Sequence, residues 1–314
     1  MKVFEGEAGY MQLLDYIVNK NIATPDRTGC GTNKQCGVAL HFPDVVEEHP
    51  LFTARKMPVR SPIEETLFFC RGHVQTKLLE AKNCHFWKGH TSREFLDEKR
   101  GLNHLPTGHM GYAYGAVMRN AGGDYLKLED GSYDPEYIPT GGFDQLAYVI
   151  DELKRDLWSR RAMIELWAPQ DLYRSALTPC VHNYNFVAEM DENGEPVLNL
   201  IMKIRSSDGA FGLGSNASQC GFFLKAIAKI IGVRPKALTL MIVDSHLYSG
   251  SYADQLPYVR ELLTREVRKG PKLTITKELN TLEDLLAMEF SDIRVEDYNP
   301  VEEPMVTPRP PMAV

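Results

Sequence analysis

The stretch Ala176-Leu177-Thr178-Pro179-Cys180-Val181-His182 is the part of the chain around which the other motifs can be arranged. Proline fixes one backbone dihedral and has no N–H donor, so Pro179 can aim the side chain of Cys180 at a defined point. The run 181–188 is rich in β-branched and aromatic residues and predicts a strand. Farther along stand Arg205-Ser206-Ser207-Asp208, Asn216 and Asp244-Ser245-His246-Leu247-Tyr248. Together these side chains are suited to holding an anionic nucleotide beside a nucleophile.

The composition is that of a globular protein. The 314 residues are 43% hydrophobic and 25% charged, and no linker or internal repeat divides them, so one domain over 1–314 is expected. A net charge of -7 argues against a nucleic-acid-binding surface. We find no apolar run long enough to span a membrane and no signal segment. Six cysteines without CxxC spacing predict reduced thiols in the cytoplasm and no metal site.

Periodicity and turn residues predict a mixture of helices and strands. Helices are expected over 8–20, from a Ser61 cap to about Gly72, over 144–158 and over 218–231, the last closed by Gly232. A hairpin is expected from strands 181–189 and 197–205, with further strands at 238–243 and 271–275. The glycine-, aspartate- and proline-rich segment 119–142 predicts a surface loop. Because the order lacks βαβ regularity, the expected class is α+β.

The roles of five residues are judged here from their local sequence alone. Arg27, in a glycine-rich turn, is either a solvated surface residue or a phosphate ligand. Arg160 and Arg161 either complement a helix end or clamp a phosphate. Glu65 is either a solvated first-turn acid or, if it is buried, a proton-handling group with a raised pKa. Trp87, taken alone, favours core packing.

In their order along the chain, these motifs resemble the thymidylate synthase family over nearly the full length. The residues that carry the resemblance are Asp26-Arg27-Thr28-Gly29, Pro50-Leu51-Phe52-Thr53, Glu65, Trp87, Tyr114-Gly115, Asp144-Gln145, Ser159-Arg160-Arg161, Pro179-Cys180, Arg205-Ser206, Asp208, Gly212, Asn216, Asp244, His246, Tyr248, Pro271-Lys272-Leu273, Tyr298-Asn299-Pro300 and Ala313-Val314. No single motif is diagnostic, but this many in one order is specific.

The resemblance implies an α+β fold with a large twisted mixed sheet, paired sheet to sheet in an obligate homodimer. It implies dUMP as substrate and 5,10-methylenetetrahydrofolate as one-carbon donor, with no metal. Cys180 would add to C6 of the pyrimidine, and Asn216 would read N3 and O4 of the base. The residues implied for the phosphate and the ribose 3′-hydroxyl are Arg27, Arg205 and Ser206, Arg160 and Arg161 from the partner subunit, and His246 and Tyr248.

The same resemblance assigns the remaining catalytic and folate-binding groups. Glu65 would organise a proton-handling water, and Tyr114 would assist removal of the C5 proton. Asp208 and Trp87 would meet the folate, Arg55 would stand for the lysine expected near its tail, and Val314 would close over it. A cluster of arginines beside Cys180 would also give this thiol a depressed pKa.

Three departures from the family pattern bear on the product. Val181 replaces the usual His after the nucleophile, Ile204 replaces the usual Gln before the Arg-Ser pair, and Gly214-Ser215-Asn216 replaces Pro-Phe-Asn. The expected reaction is reductive methylation to dTMP and dihydrofolate, which the retained Trp87 and the terminal Ala-Val favour. The alternative is a dUMP 5-hydroxymethylase, in which water captures the exocyclic methylene, as would serve a phage with modified bases. Asn216 argues against dCMP, and a weakly catalytic nucleotide- or RNA-binding homologue is a third interpretation.

Overall fold

The computed structural model describes residues 1–20, 22–250 and 252–311. Its α-helices are α1 Gly6–Val18, α2 Arg60–Cys70, α3 Lys77–Glu80, α4 Gly115–Asn120, α5 Gln145–Arg155, α6 Gly212–Ile231, α7 Leu256–Leu262 and α8 Leu282–Leu286. Its strands are β1 Lys2–Glu5, β2 Thr32–Phe42, β3 Asp124–Tyr125, β4 Pro139–Thr140, β5 Met163–Glu165, β6 Val181–Met190, β7 Pro196–Ile204, β8 Ser207–Asp208, β9 Arg234–Tyr248, β10 Lys272–Ile275 and β11 Ile293–Glu296. A π-helical segment covers Phe95–Lys99, and 3-10 segments cover Pro169–Arg174 and Phe290–Asp292.

One large mixed sheet organises these elements. Its strand order is β1-β2-β9-β7-β6-β5, and β8 pairs with β9. The pairs β2·β9, β6·β7 and β5·β6 are antiparallel, whereas β1·β2, β7·β9 and β8·β9 are parallel. Strands and helices alternate without a βαβ repeat, which confirms the predicted combination of helices with a large mixed sheet.

The predicted hairpin is present and positions the central cysteine. Strands β6 and β7 meet at a turn in which the Asp191 carboxylate accepts the backbone N–H of Asn193 and Glu195, and Gly194 has a φ of 80°. The register shifts between Val181 and Asn183, so a bulge follows Cys180 at once. Arg205 leaves the end of β7 and donates its backbone N–H to the Cys180 carbonyl at 2.9 Å. The hairpin therefore places this thiol and this guanidinium side by side.

Helix α6 is longer than the apolar stripe predicted, beginning at Gly212 instead of near 218. The added turns carry Ser215 and Asn216, whose polar side chains fall outside a pattern based on apolar spacing. Close packing explains the small residue at 214, because a Cβ at Gly214 would lie 2.9 Å from the Met57 side chain. The helix ends at Gly232 in the left-handed conformation, as predicted.

Several predicted boundaries were wrong. Helix α2 begins at Arg60, and Ser61 does not cap it. Helix α5 is capped by Asp144, which accepts the backbone N–H of Ala147 at 3.0 Å, but it ends at Arg155. The strand expected at 238–243 is the middle of the longer β9. The segment 119–142 is not only loop, since it contains the end of α4 and the hairpin β3·β4.

The two faces of the sheet differ in their exposure. Leu198, Leu200, Met202 and Ile204 were predicted to share one face, and all four are fully buried in the core beneath α6. The opposite face carries apolar side chains at solvent, with Val187 38% exposed and Val243 59% exposed. The register places both on the side that also holds Ile201 and Met241.

Candidate active site

A cleft opens where the Cys180 loop, the middle of α2 and the starts of α6 and α7 come together. Its lining includes Arg55, Met57, Glu65, Trp87, His90, Cys180, Ser206, Asp208, Phe211, Ser215, Asn216, Gln255, Tyr258 and Arg309. Predicted residues that lie far apart along the chain thus share one cavity, namely Arg55, Glu65, Trp87, Cys180, Ser206, Asp208 and Asn216. The cysteine lies at the start of a strand and the amide in the second turn of a helix, so rigid elements position both.

Cys180 is held from two sides. Its backbone N–H donates to the phenol oxygen of Tyr114 at 2.9 Å, and the Arg205 guanidinium lies 3.7 Å from its sulfur. Arg205 also donates to the carbonyls of Thr178 and Pro179, at 3.0 and 2.9 Å, so its orientation is fixed. Within one chain, the thiol does not have the depressed pKa that was expected from a full cluster of arginines. Burial raises the pKa of Cys180, and the charges of Arg205 and Arg27 only partly oppose that effect.

Tyr114 has an uncommon backbone conformation for a bulky residue. Its φ is 44° at the start of α4, and its ring stacks on Phe69 with centroids 4.9 Å apart. Non-glycine residues at positive φ are costly and tend to occur where function requires them. Burial raises the pKa of the Tyr114 phenol, so this hydroxyl is protonated at neutral pH.

Glu65 is the buried acid that the sequence left between two interpretations. Glu65 belongs to α2, and its side chain is buried. The indole N–H of Trp87 donates to one carboxylate oxygen, and the amide of Gln219 donates to the other. Burial raises the pKa of Glu65 to about 7, and these two hydrogen bonds lower it in part. The proton-handling interpretation is therefore the one whose condition, burial, is met. Gln219 was missed, because a glutamine inside an apolar helix has no motif.

Trp87 satisfies both interpretations that were considered for it. The side chain is only 7% exposed and packs edge-on against Phe69 and Tyr114. It also lines the cleft beside Cys180 and Glu65. A single residue thus contributes to the core and to the wall of the cavity.

Asp208 organises the other end of the cleft. One carboxylate oxygen accepts the backbone N–H of Ala210 and Phe211, at 2.9 and 3.1 Å, just before α6 begins. The other accepts the side-chain amide of Gln255 at 2.9 Å. The Gln255 carbonyl oxygen in turn accepts the Tyr248 backbone N–H at 3.1 Å. Gln255 was also missed by the sequence analysis, although it links two residues that were named.

The predicted ribose residues His246 and Tyr248 lie at the end of β9. The Asp244 carboxylate pairs with His246 at 2.9 Å and with Lys34 at 3.0 Å. Burial opposes ionisation of Asp244, but its hydrogen bonds with His246 and Lys34 hold its pKa below the usual value. Thr32 pairs with Tyr248, which brings the loop that carries Arg27 to this end of the sheet.

The Arg27 loop is ordered around its neighbouring acid. Asp26 accepts the backbone N–H groups of Thr28 and Gly31, at 3.0 and 2.7 Å. The Arg27 side chain itself is exposed, and its charge acts on both Cys180 and Tyr248. This position suits the phosphate interpretation better than that of a remote surface residue.

Arg55 lines the cleft as expected but is already engaged. Its guanidinium donates to the Tyr258 hydroxyl at 3.0 Å and to the Ala210 carbonyl at 2.5 Å, and it lies over the Phe211 ring at 5.0 Å. Arg309 covers the same ring at 4.3 Å and was not predicted. Arg309 is exposed, so the described part of the C-terminal segment brings a second cation to this end of the cleft.

Two sets of predicted residues are not brought to the cleft. Arg160 and Arg161 are exposed in the connection between α5 and the edge strand β5, and they do not line the cavity around Cys180. Val314 lies outside the described residues. His182 does not take the place of the His missing at 181, because its imidazole turns to Glu165 at 3.6 Å.

No helix within 1–20, 22–250 and 252–311 is long and apolar enough to cross a membrane. In the same three ranges, no three His, Cys, Asp or Glu side chains are grouped as they would be around a metal ion.

A cysteine beside an arginine in a cleft that also holds a buried acid of raised pKa has the features of an enzyme with a cysteine nucleophile. A family model described as thymidylate synthase matches residues 8–308. The chain belongs to the thymidylate synthase family, and it is a one-carbon transferase of the methyltransferase type.

Individual relatives match over almost the whole chain. It is 32% identical over 301 residues to the thymidylate synthase of Saccharomyces cerevisiae, covering 94% of each protein. It is 31% identical to the thymidylate synthase of Agaricus bisporus, covering 94% of this chain and 96% of that one. It is 34% identical to the bifunctional dihydrofolate reductase-thymidylate synthase of Leishmania amazonensis, of which the match covers 53%.

Proposed function

We propose that this enzyme transfers a one-carbon unit from 5,10-methylenetetrahydrofolate to C5 of dUMP and releases dTMP and dihydrofolate. The observation that carries the proposal is the position of Cys180, whose sulfur lies 3.7 Å from Arg205 in the cleft that holds Asn216 and Glu65. The names of the relatives and the match over 8–308 support the same reaction. One domain over 1–314 is part of the proposal, supported by a hydrophobic core that runs from Tyr10 to Met288.

The dUMP phosphate is held by Arg27, Arg205 and Ser206. Arg160 and Arg161 of the partner subunit complete this phosphate site, since in their own subunit they are exposed and outside the cleft. The positive charges of these two arginines lower the pKa of Cys180, as Arg205 does. They therefore offset the effect of burial, which raises it.

The nucleoside is read at its sugar and its base. His246, oriented by Asp244, and Tyr248 bind the ribose 3′-hydroxyl. Asn216 is half-buried on the cleft side of α6, and its amide both donates and accepts. One side chain can therefore accept from N3–H and donate to O4 of uracil, a pairing that cytosine does not match.

Cys180 begins the reaction as a thiolate that adds to C6 of the ring. The electron pair of the C5–C6 double bond moves toward C4, negative charge develops on O4, and C5 becomes nucleophilic. Donors directed at O4 stabilise this charge. Glu65 organises the water that handles the proton at O4, and Tyr114 assists removal of the C5 proton. Expulsion of the Cys180 thiolate from C6 in the last step restores the double bond and the free enzyme.

The folate occupies the end of the cleft formed by Trp87, Asp208 and Arg55. The fit rests on the aromatic wall at Trp87 and Phe211, a carboxylate held in place by three donors, and cations at Arg55 and Arg309. The folate supplies the methylene carbon and the hydride that reduces it. In this proposal Val314 closes over the folate and excludes water, which would otherwise compete with the hydride.

The functional unit is a homodimer formed sheet to sheet. The support is the exposed apolar face of the large sheet, which includes Val187 and Val243, with Ile201 and Met241 between them. An apolar sheet face of this kind is stabilised by covering it. A sheet-to-sheet pairing also provides a partner from which Arg160 and Arg161 can enter the other subunit's cleft.

A dUMP 5-hydroxymethylase is the second candidate. The observation that favours it is the loss of polar groups behind the nucleophile, since Val181 and Ile204 are both buried and apolar. A polar Ser215 lines the cleft where the family pattern has Phe, and its hydroxyl can hold a water molecule. In this alternative water, not hydride, adds to the exocyclic methylene.

The deciding experiment is mass analysis of the product formed from dUMP and methylenetetrahydrofolate, together with tritium release from [5-³H]dUMP. A product with the mass of dTMP, formed with an equal amount of dihydrofolate, is expected. A product with the mass of 5-hydroxymethyl-dUMP and no dihydrofolate would establish the alternative. For variants of Cys180, the matched control is Cys36→Ser, which changes an exposed cysteine outside the cleft. Release of no tritium, with or without folate, would contradict both candidates.

A further inference from the structure

The Glu65 carboxylate is buried in the cleft wall and bonded through both of its oxygens. Trp87, from the segment after α3, holds one oxygen, and Gln219 of α6 holds the other. Both partners are neutral donors, and the side chain of Glu65 has almost no contact with solvent. The carboxylate is thus fixed in orientation by groups from two elements outside its own helix.

Gln219 is placed to connect this acid with the base-reading residue. It stands one turn after Asn216 on α6, and residues three apart lie on the same face of a helix. Behind the nucleophile, Val181 and Ile204 offer no hydrogen-bonding side chain, and His182 points to Glu165 instead. The polar support of Glu65 is therefore concentrated in the two donors Trp87 and Gln219.

We propose that Gln219 is a positioning residue for the reaction, holding Glu65 in the orientation in which it directs water to the pyrimidine. This inference rests on the proposed function and deepens it, because Glu65 has this task only if a pyrimidine occupies the cleft. Gln219 itself is not part of the cleft lining around Cys180 and instead lines a small cavity with Thr66, Phe69 and Cys220. It acts on the substrate only through the carboxylate.

The other ionisable groups around Glu65 do not replace Gln219 in holding this carboxylate. Tyr114 at α4, Tyr184 of β6 and Cys84 after α3 are protonated at neutral pH, because burial raises the pKa of each. Burial lowers the pKa of His90, which also lines the cleft, so this group is neutral there. Glu64 on the same helix is paired with Arg60 and Lys82.

The hydrogen bond from Gln219 determines the direction in which its replacement shifts the pKa of Glu65. Burial raises the pKa of Glu65 to about 7, and a donor to the carboxylate favours its charged form. Replacing Gln219 by Met keeps a side chain of similar length but removes the donor. We expect the titration midpoint of Glu65 to rise by about one pH unit, which is the size of effect of a single hydrogen bond to a charged group.

The fluorescence of Trp87 can be used to measure the titration of Glu65 in the absence of substrate. In a Trp158→Phe, Trp167→Phe background, its fluorescence should follow the protonation of Glu65. Glu65→Gln identifies the signal, since it should abolish the titration. Thr66→Val is the matched control, because it alters the same small cavity but leaves both donors of Glu65 in place. If Gln219→Met does not fold, Gln219→Ser is used instead, because the serine side chain is too short for its hydroxyl to reach the Glu65 carboxylate.

A midpoint that rises in the Gln219 variants and not in Thr66→Val supports the proposal. Equal midpoints in Gln219→Met and Thr66→Val would overturn it, as would a titration that persists in Glu65→Gln. The pH profile of tritium release, measured with all tryptophans native, should shift by the same amount. A lower rate at every pH without a shift would indicate a structural role only and contradict the proposal. Absence of tritium release in the wild type would contradict the proposed function, while the fluorescence titration would still test the contact.

Discussion

Gln255 offers a prediction whose size follows from the structure. Its side chain is 2% exposed and makes two hydrogen bonds, one to the Asp208 carboxylate at 2.9 Å and one from the Tyr248 backbone N–H at 3.1 Å. The substitution Gln255→Leu keeps the bulk and removes both. Asp208 and Tyr248 then lose their side-chain link, while the backbone N–H of Gln255 still donates to the Tyr248 carbonyl at 2.9 Å.

The expected loss of stability is moderate. A hydrogen bond to a charged group contributes about 1.5–3 kcal/mol, and a buried N–H without a partner costs about 1–3 kcal/mol. Part of this is offset by the apolar side chain, so we expect the free energy of unfolding to fall by about 3 kcal/mol. With an unfolding entropy of about 0.7 kcal/mol per kelvin for a chain of this length, the melting temperature should fall by about 4 °C.

The kinetic consequence distinguishes a link from simple packing. If Asp208 binds folate and Tyr248 binds ribose, Gln255→Leu should raise KM for both substrates, each by roughly tenfold. The control is Gln35→Leu, which removes a glutamine of β2 that is bonded to Lys20 and lies outside the cleft. Melting temperature is measured by calorimetry and KM by dihydrofolate formation. If Gln255→Leu left both KM values equal to those of the control, the linking role would be refuted.

Four further outcomes are expected. Cys180→Ser should abolish turnover and leave dUMP binding by calorimetry largely intact, since a hydroxyl is a far weaker nucleophile than a thiolate; near wild-type turnover would reject the assignment. Arg160→Glu and Cys180→Ala proteins, each inactive, should regain about a quarter of wild-type activity after subunit exchange, because one site of each mixed dimer has neither lesion; mixtures that stay inactive after proven exchange would count against a shared site. Asn216→Asp should shift the ratio of dUMP to dCMP turnover toward dCMP by about tenfold to a hundredfold, from a mismatch costing roughly 1–3 kcal/mol; an unchanged ratio would show that Asn216 does not read the base. The Asp244 pKa is lowered in the folded state, so the stability lost in Asp244→Asn should be large at about pH 7 and should shrink below about pH 4, as measured by denaturant unfolding; a constant difference would argue against that pairing.

The difference between what was predicted and what was missed lies in the range of the interactions. The hairpin β6·β7 was predictable because its alternation and its Asp-Glu-Asn-Gly turn are local properties of the chain. Gly232 at the end of α6 was predictable for the same reason. Gln219 and Gln255 were not, because each acquires its role from an acid that is distant in the sequence and reaches it only through folding.

Cys180 combines both kinds of property, one predictable from the local sequence and one that arises only on folding. That a thiol stands next to an arginine in a cleft could be expected from the motifs Pro179-Cys180 and Arg205-Ser206. Whether the thiol is easily ionised depends on the balance between desolvation and nearby charge, and desolvation is a property of the packed structure. Here burial outweighs Arg205 and Arg27 within one chain.

By itself, the sequence determined the hairpin β6·β7, the alternation that separates the core face of the sheet from its outer face, and the choice of residues proposed as the reacting groups. These depend on residue type and short-range spacing, which the chain carries before it folds. Only the tertiary structure decided which donors hold Glu65, that His182 turns away to Glu165, and that Arg160 and Arg161 stay outside their own cleft. Those outcomes depend on burial and on contacts between distant segments, and neither quantity exists until the sheet and α6 have packed together.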